Sequence, residues 1–195
     1  MISPIFVKDY SSPQVNKKEV LRYAGVKSEV DSVNSIINEC LIESKSKLFY
    51  KVCYVLVDVK IDEDIIDFGF SKVRSKSLAK NLSSFNKAII FSATIGVEID
   101  RLIAKYNVVS PVKALIFQAI GAERIESLCN VFNEDIKGQY KEIAPRFSAG
   151  YGDLNIEFQR DIFKLLDCHK KIGLTLNDSL IMSPSKSVTA IIGVK

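Results

Sequence analysis

The sequence predicts an α+β fold, a single compact domain whose largely antiparallel, twisted sheet is flanked by helices. Three observations predict it. Short runs rich in β-branched and aromatic residues, at 48–59, 87–94 and 187–194, are interleaved with longer runs of helical period. The 195 residues suffice for one core and are short for two. Neither an internal repeat nor a linker rich in Gly, Ser or Pro divides the chain.

Taken in order, the first ordered element expected is a helix over 17–24. Asn16 is its N-cap, Glu19 completes a capping-box pattern, and Gly25 supplies the stop. A longer helix follows over about 29–44, with Val30, Val33, Ile36, Ile37, Cys40 and Leu41 on one face. Residues 48–59 (LFYKVCYVLVDV) read as a strand, the acidic cluster 62–64 as a turn, and 65–70 as a second strand. A helix at 77–83 leads to a strand at 87–94, whose continuous apolar core predicts burial on both faces.

Thr94-Ile95-Gly96 marks a strand-to-helix junction, with a helix through Tyr106. Ser110-Pro111 then pairs an N-cap with proline at the first helical position and opens a helix to about Lys137. Within it Val112, Leu115, Ala119, Ala122, Glu126 and Cys129 fall in one row, so Glu126 places a carboxylate in an apolar stripe. After Gly138 come a loop at 144–153 and a helix at 155–167 with Phe158, Ile162, Leu165 and Leu166 facing the core. Strands at 178–182 and 187–194 close the chain across Ser183-Pro184-Ser185-Lys186.

Composition excludes several functions. The net charge is +4, but Lys and Arg are scattered among Asp and Glu, with no basic stripe interleaved with aromatics, so no nucleic-acid partner is expected. Cysteines 40, 53, 129 and 168 lack the short spacings of metal sites and read as reduced core residues of a cytoplasmic protein. The N-terminus has no charged region followed by a long apolar run, and no stretch approaches the roughly 20 apolar residues of a membrane helix, so neither a signal peptide nor a membrane partner is expected.

Binding chemistry concentrates in Pro145-Arg146-Phe147-Ser148-Ala149-Gly150-Tyr151-Gly152-Asp153. Two glycines let backbone approach a ligand closely. Arg146 offers a planar fork for a carboxylate, and Tyr151 a flat face with a polar tip. Such a set suits a zwitterion that also carries an aromatic base.

The segment 146–153 resembles the R-x-S-P-G-Y-G-D signature of the activation domain of cobalamin-dependent methionine synthases. The tail 176–190 is similar to that family's L-T-E-S-x-x-M-x-P-x-x-S-V-S/T stretch. Thr94-Ile95-Gly96 with Asp100, and the helix around 121–126, match the short, free-standing members. The signature-bearing similarity spans about 88–195, whereas the N-terminal helical part, about 1–46, is similar chiefly through 19–23.

The resemblance implies an S-adenosylmethionine-binding component that acts in trans in the reductive remethylation of cobalamin. The cobalamin is carried by a partner methionine synthase or related corrinoid protein, and a flavodoxin-like donor supplies the electron. The chain is then a component of methionine synthase activity rather than a self-sufficient enzyme. No catalytic side chain and no metal ligand is expected, because the two cofactors carry the chemistry. By position, Arg146 pairs with the ligand carboxylate and Tyr151 lies beside the ligand. The backbone of Ser148, Ala149 and Gly150 contacts its polar edges, and Glu126 faces its ammonium or sulfonium. The 183–187 turn is expected to form another wall of the cleft.

Ala149 stands where the family usually has Pro, which removes one fixed φ from the loop. Asp167-Cys168-His169 with Gly173 comes close to a cobalamin-binding motif, but the glycine is one place late. The alternative reading is a non-catalytic binding or scaffold protein for another corrinoid protein that has kept the fold.

Overall fold

The computed structural model of the chain describes residues 2–26 and 31–195. In chain order the elements are β1 (Phe6–Tyr10), α1 (Lys17–Tyr23), α2 (Asp31–Lys45), β2 (Tyr50–Asp58), β3 (Lys60–Asp62), β4 (Ile65–Asp67), β5 (Lys72–Arg74) and α3 (Lys76–Leu82). There follow β6 (Lys87–Thr94), α4 (Glu98–Val109), α5 (Pro111–Lys137), α6 (Phe158–Leu166), α7 (Cys168–Ile172), β7 (Thr175–Leu176), β8 (Met182–Ser183) and β9 (Ser187–Val194).

Four strands in the order β1-β2-β6-β9 form the central sheet, and every pairing is antiparallel. Strand side chains alternate between faces, so each strand feeds two cores. Val52, Ile89, Phe91, Ala93, Ala190 and Ile192 pack with α1, α2, α4 and α5. Cys53, Val55, Val57, Ala88, Ile90 and Ile191 face α3, α6, α7 and the small β3-β4-β5 sheet. Helices thus cover both faces of an antiparallel sheet. The burial of β6 on both sides, expected from its unbroken apolar run, follows from its central place.

Local signals explain the helix ends. Asn16 accepts the Glu19 amide at 3.4 Å. At the other end of α1, Val26 N donates to Leu21 O and Gly25 N to Arg22 O, a Schellman closure that needs Gly25 at φ +71. Glu19 turns to Arg22 (2.6 Å) rather than back to its own cap. Pro111 opens α5, although the Ser110 side chain makes no capping bond.

Several expectations need correction. A strand, β1, precedes the first helix and pairs with β2; at five residues on a sheet edge it has too little apolar alternation to be conspicuous. The strand expected at 178–182 is instead a tight turn with Leu180 at φ 62, flanked by the two-residue strands β7 and β8. The helix expected over 155–167 starts at Phe158 and ends at Leu166, where Asp167 adopts φ 47 and begins the separate helix α7. Strand 65–70 stops at Asp67, because Gly69 turns the chain into β5. Val30, placed on the second helix, lies outside the described residues.

The stripe on α5 also differs from its expected row. Val112 and Leu115 are more than half exposed, whereas Ile116, Phe117, Ile120, Leu128, Phe132 and Ile136 are buried. The carboxylate that the core holds is Glu123, 2% exposed, and not Glu126.

Candidate functional site: a cleft between the first and fifth helices

The chain leaving α5 returns along the free edge of β9. Lys141 N donates to Lys195 O and Ala144 N to Gly193 O, each at 2.8 Å, and Phe147 exchanges both backbone bonds with Ile191. This irregular pairing continues the sheet and fixes where Arg146 leaves it. The next residues fold on themselves: Tyr151 N donates to Ser148 O (3.1 Å) and Gly150 N to Leu154 O (2.9 Å).

Asp153 anchors that turn to α3. Its carboxylate accepts the Ser75 hydroxyl (2.6 Å) and the amides of Lys76 (2.8 Å) and Ser77 (3.1 Å). The Ser75 hydroxyl, with those two amides, holds the Asp153 carboxyl well below the usual carboxylate range. Gly152, at φ +54, lies so close to α3 that a Cβ there stands 2.8 Å from Ser77 Oγ. The last two signature residues therefore dock the loop.

Arg146 reaches back across α5. Its Nη2 donates to Glu126 Oε2 at 3.1 Å and to Asn130 Oδ1 at 3.0 Å. Beneath it the Cys129 thiol is pushed up to about 12 by burial, with the Arg146 guanidinium acting in the opposite sense. Glu126 and Asn130, one helical turn apart, also line a cavity of about 290 Å³ whose other wall is α1, through Asn16, Glu19, Arg22 and Tyr23. The Arg22 guanidinium lies 4.2 Å over the Tyr23 ring. At the base, Glu123 accepts the Asn16 amide (3.0 Å) and the Ser127 hydroxyl (2.7 Å), and it pairs with Arg124. The Arg22 guanidinium, a side-chain amide and carboxylates thus line a small concave surface, and the Arg146 guanidinium bonds two of its wall residues, an arrangement able to bind a group carrying both charges.

Of the predicted residues, Arg146 and Glu126 are brought together. Glu126 accepts from the Arg146 guanidinium. Tyr151 is 69% exposed, packs edge-on to Phe147 at 6.2 Å, and is absent from the cavity wall. Ala149 is buried, and Ser148 and Gly150 form the turn just described. The 183–187 turn stands elsewhere: Ser187 pairs with Thr94 at the far end of β9, Ser185 bonds Asp100, and Lys186 bonds Gln118.

Sequence reading missed Asn130, the buried Glu123–Arg124 pair and the α1 wall. The Glu19–Tyr23 resemblance was the one sequence signal that pointed at that wall.

A larger groove of about 750 Å³ lies on the other side of the loop. Among its charges Arg74 pairs with Asp64 at 3.5 Å and Arg160 with Glu157 at 2.8 Å, and its Asp153 is the α3 anchor. Among the described residues no group of three His, Cys, Asp or Glu side chains could hold a metal ion. No described helix is long and apolar enough to cross a membrane.

The fold, a four-stranded antiparallel sheet with helices on both faces, is similar to that of a methionine synthase reactivation domain. The crystal structure of the MetH reactivation domain bound to AdoHcy superposes with a TM-score of 0.72 at 14% identity, over 98% of this chain and 78% of that one. Residues 126–195 match the family described as vitamin B12 dependent methionine synthase, activation domain. The matched segment is the one that carries both motif blocks. No curated protein matches the chain.

Proposed function

We propose that the protein binds S-adenosylmethionine in the α1–α5 cleft and acts in trans as the reductive-remethylation component of a cobalamin-dependent methionine synthase. The carrying observation is that Arg146 bonds Glu126 and Asn130, two wall residues of a cavity whose other wall bears Glu19. A sulfonium amino acid needs a fork for its carboxylate and carboxylates for its cationic centres, and the cleft offers both. The match of the motif-bearing segment to the activation-domain family supports the reading. So does the AdoHcy held by a protein of the same fold.

In this reading Arg146 exchanges Glu126 for the ligand carboxylate, and Glu126 turns to the ammonium or sulfonium. Glu19 gives α1 a direct part in binding. The 148–150 backbone, fixed through Asp153, forms the edge along which the ligand lies, with Tyr151 free to close over it. S-adenosylmethionine supplies the methyl group. The protein orients it toward a cobalamin carried by the partner synthase or a related corrinoid protein, with one electron from a flavodoxin-like donor.

Calorimetry with S-adenosylmethionine and a remethylation assay test this together. Saturable binding is expected, and a cob(II)alamin-loaded partner should gain methylcobalamin only when donor, ligand and this protein are all present. Binding without remethylation favours the scaffold alternative, and no binding by the native protein overturns the proposal.

A further inference from the structure

The four cysteines are all buried and free, but they divide between the two cores. Cys40 and Cys129 lie on the α1/α2/α4/α5 side. Cys53 and Cys168 lie together on the other. Cys53 on β2 stands directly opposite Ser92 on β6. The Cys168 thiol, at the start of α7, contacts that same Ser92 hydroxyl at 3.3 Å. One serine thus brings the two thiols to one spot on the same face of the sheet, where each acts on the titration of the other.

The neighbouring Cys53 thiol, seconded by the Ser92 hydroxyl and opposed by burial, lowers the Cys168 thiol. Cys168, together with burial, raises Cys53. By contrast burial pushes Cys40 up to about 11 and Cys129 up to about 12. Cys168, itself buried, also belongs to the wall of a surface groove of about 450 Å³ with Phe163, His169 and Leu174, the side from which a small oxidant would approach it.

We propose that Cys53 and Cys168 are a redox-active dithiol that a hydroperoxide converts to an internal disulfide tying β2 to α7. The Cys168 thiolate attacks one peroxide oxygen and the O–O bond breaks; the departing hydroxide takes the proton Cys168 released and leaves as water, and Cys168 becomes a sulfenic acid. The Cys53 sulfur then attacks the Cys168 sulfur, the S–O bond breaks, and the hydroxide leaves as water with the Cys53 proton. Two thiols and one hydrogen peroxide give one disulfide and two waters. Cys168 is the attacking residue because it lies at the wall of the surface groove, and Cys53 resolves because Ser92 stands between β2 and α7 beside both thiols.

The test is independent of what the Arg146 cleft binds. Native protein is treated with a few equivalents of hydrogen peroxide, unfolded in excess iodoacetamide, and weighed and mapped by mass spectrometry. Alkylated cysteines should fall from four to two, with the Cys53 and Cys168 peptides joined, and dithiothreitol should restore four. In Cys53→Ser, dimedone should trap a sulfenic acid on Cys168 ahead of Cys40 and Cys129. Four alkylated cysteines after peroxide, a link through Cys40 or Cys129, or only irreversible sulfonic acid at Cys168 overturns the proposal, and the native-protein arm decides it even where the variant fails to fold.

Discussion

Arg146 meets two acceptors before any ligand arrives, and this separates its part in binding from its part in folding. Its side chain is 21% exposed, but that of Glu126 is 44% exposed, so removing the guanidinium leaves a carboxylate that water can solvate. Arg146→Ala should therefore change unfolding free energy by less than about 1 kcal/mol in a urea titration. Calorimetry should show about 2–4 kcal/mol lost from S-adenosylmethionine binding, the range for a charged, partly desolvated pair. Unchanged affinity removes Arg146 from the site. Asp153 behaves in the opposite way, as a residue of structure. Its folded carboxyl titrates below the unfolded value of about 3.9, so its stabilisation is complete above that pH and is lost as pH falls through the folded value. Asp153→Asn should lower Tm at pH 7, and the gap from native should narrow steadily below pH 4. A gap constant from pH 7 to pH 2 means that the carboxylate charge is not what docks the loop.

At the scale of elements, the loop is held by contact with α3 as much as by its own turn. Gly152 sits at positive φ with Ser77 Oγ where a Cβ would go. Gly152→Ala should destabilise by about 1–2 kcal/mol from the left-handed backbone alone. It should also weaken ligand binding, because the turn bearing Ser148 and Gly150 must move off α3. Pairing it with Ser77→Gly relieves the clash but not the backbone cost, so denaturant midpoints should recover only in part; full recovery places the strain in the side chain. The same contrast between local and distant forces explains what the sequence disclosed. Helix α5 was legible from Ser110-Pro111 to Lys137, and β6 from its apolar run, because caps and periodicity are local signals. The short strands β1, β3 and β5 were not, since three to five residues on a sheet edge carry no periodicity. On α5 the expected row took Val112 and Leu115 as core, but the tertiary packing turns other residues inward and buries Glu123 in place of Glu126. Arg146 was singled out by the motif and Glu126 by its place on α5, and the structure brings the two together. Asn130 and the α1 wall depend on how helices far apart in sequence meet.

At the scale of the whole molecule, the cleft exists only because the N-terminal stretch is tied to α5. Asp135 near the end of that helix accepts Lys8 Nζ at 2.5 Å and Tyr10 Oη at 2.7 Å. Further along, Arg124 donates to Pro13 O (2.6 Å) and Gln14 O (2.9 Å), and Glu123 accepts from Asn16 N (3.0 Å). These bonds set where α1 begins, and α1 supplies Glu19, Arg22 and Tyr23 to the cleft. The Glu123 and Arg124 side chains are each 2% exposed, so Arg124→Met strands a buried carboxylate and should cost about 3–5 kcal/mol. Adding Glu123→Leu removes that stranded charge, and the double variant should regain most of the lost stability, as apolar replacements of buried pairs often do. Neither apolar side chain can hold the Pro13 and Gln14 carbonyls or the Asn16 amide. Hydrogen exchange should therefore stay fast across 12–24 in both variants, while β6 and β9 recover native protection in the double variant. S-adenosylmethionine affinity should follow the exchange of α1 rather than global stability. If instead the double variant recovers α1 protection and affinity together with its stability, the buried pair serves packing alone and another contact sets the cleft.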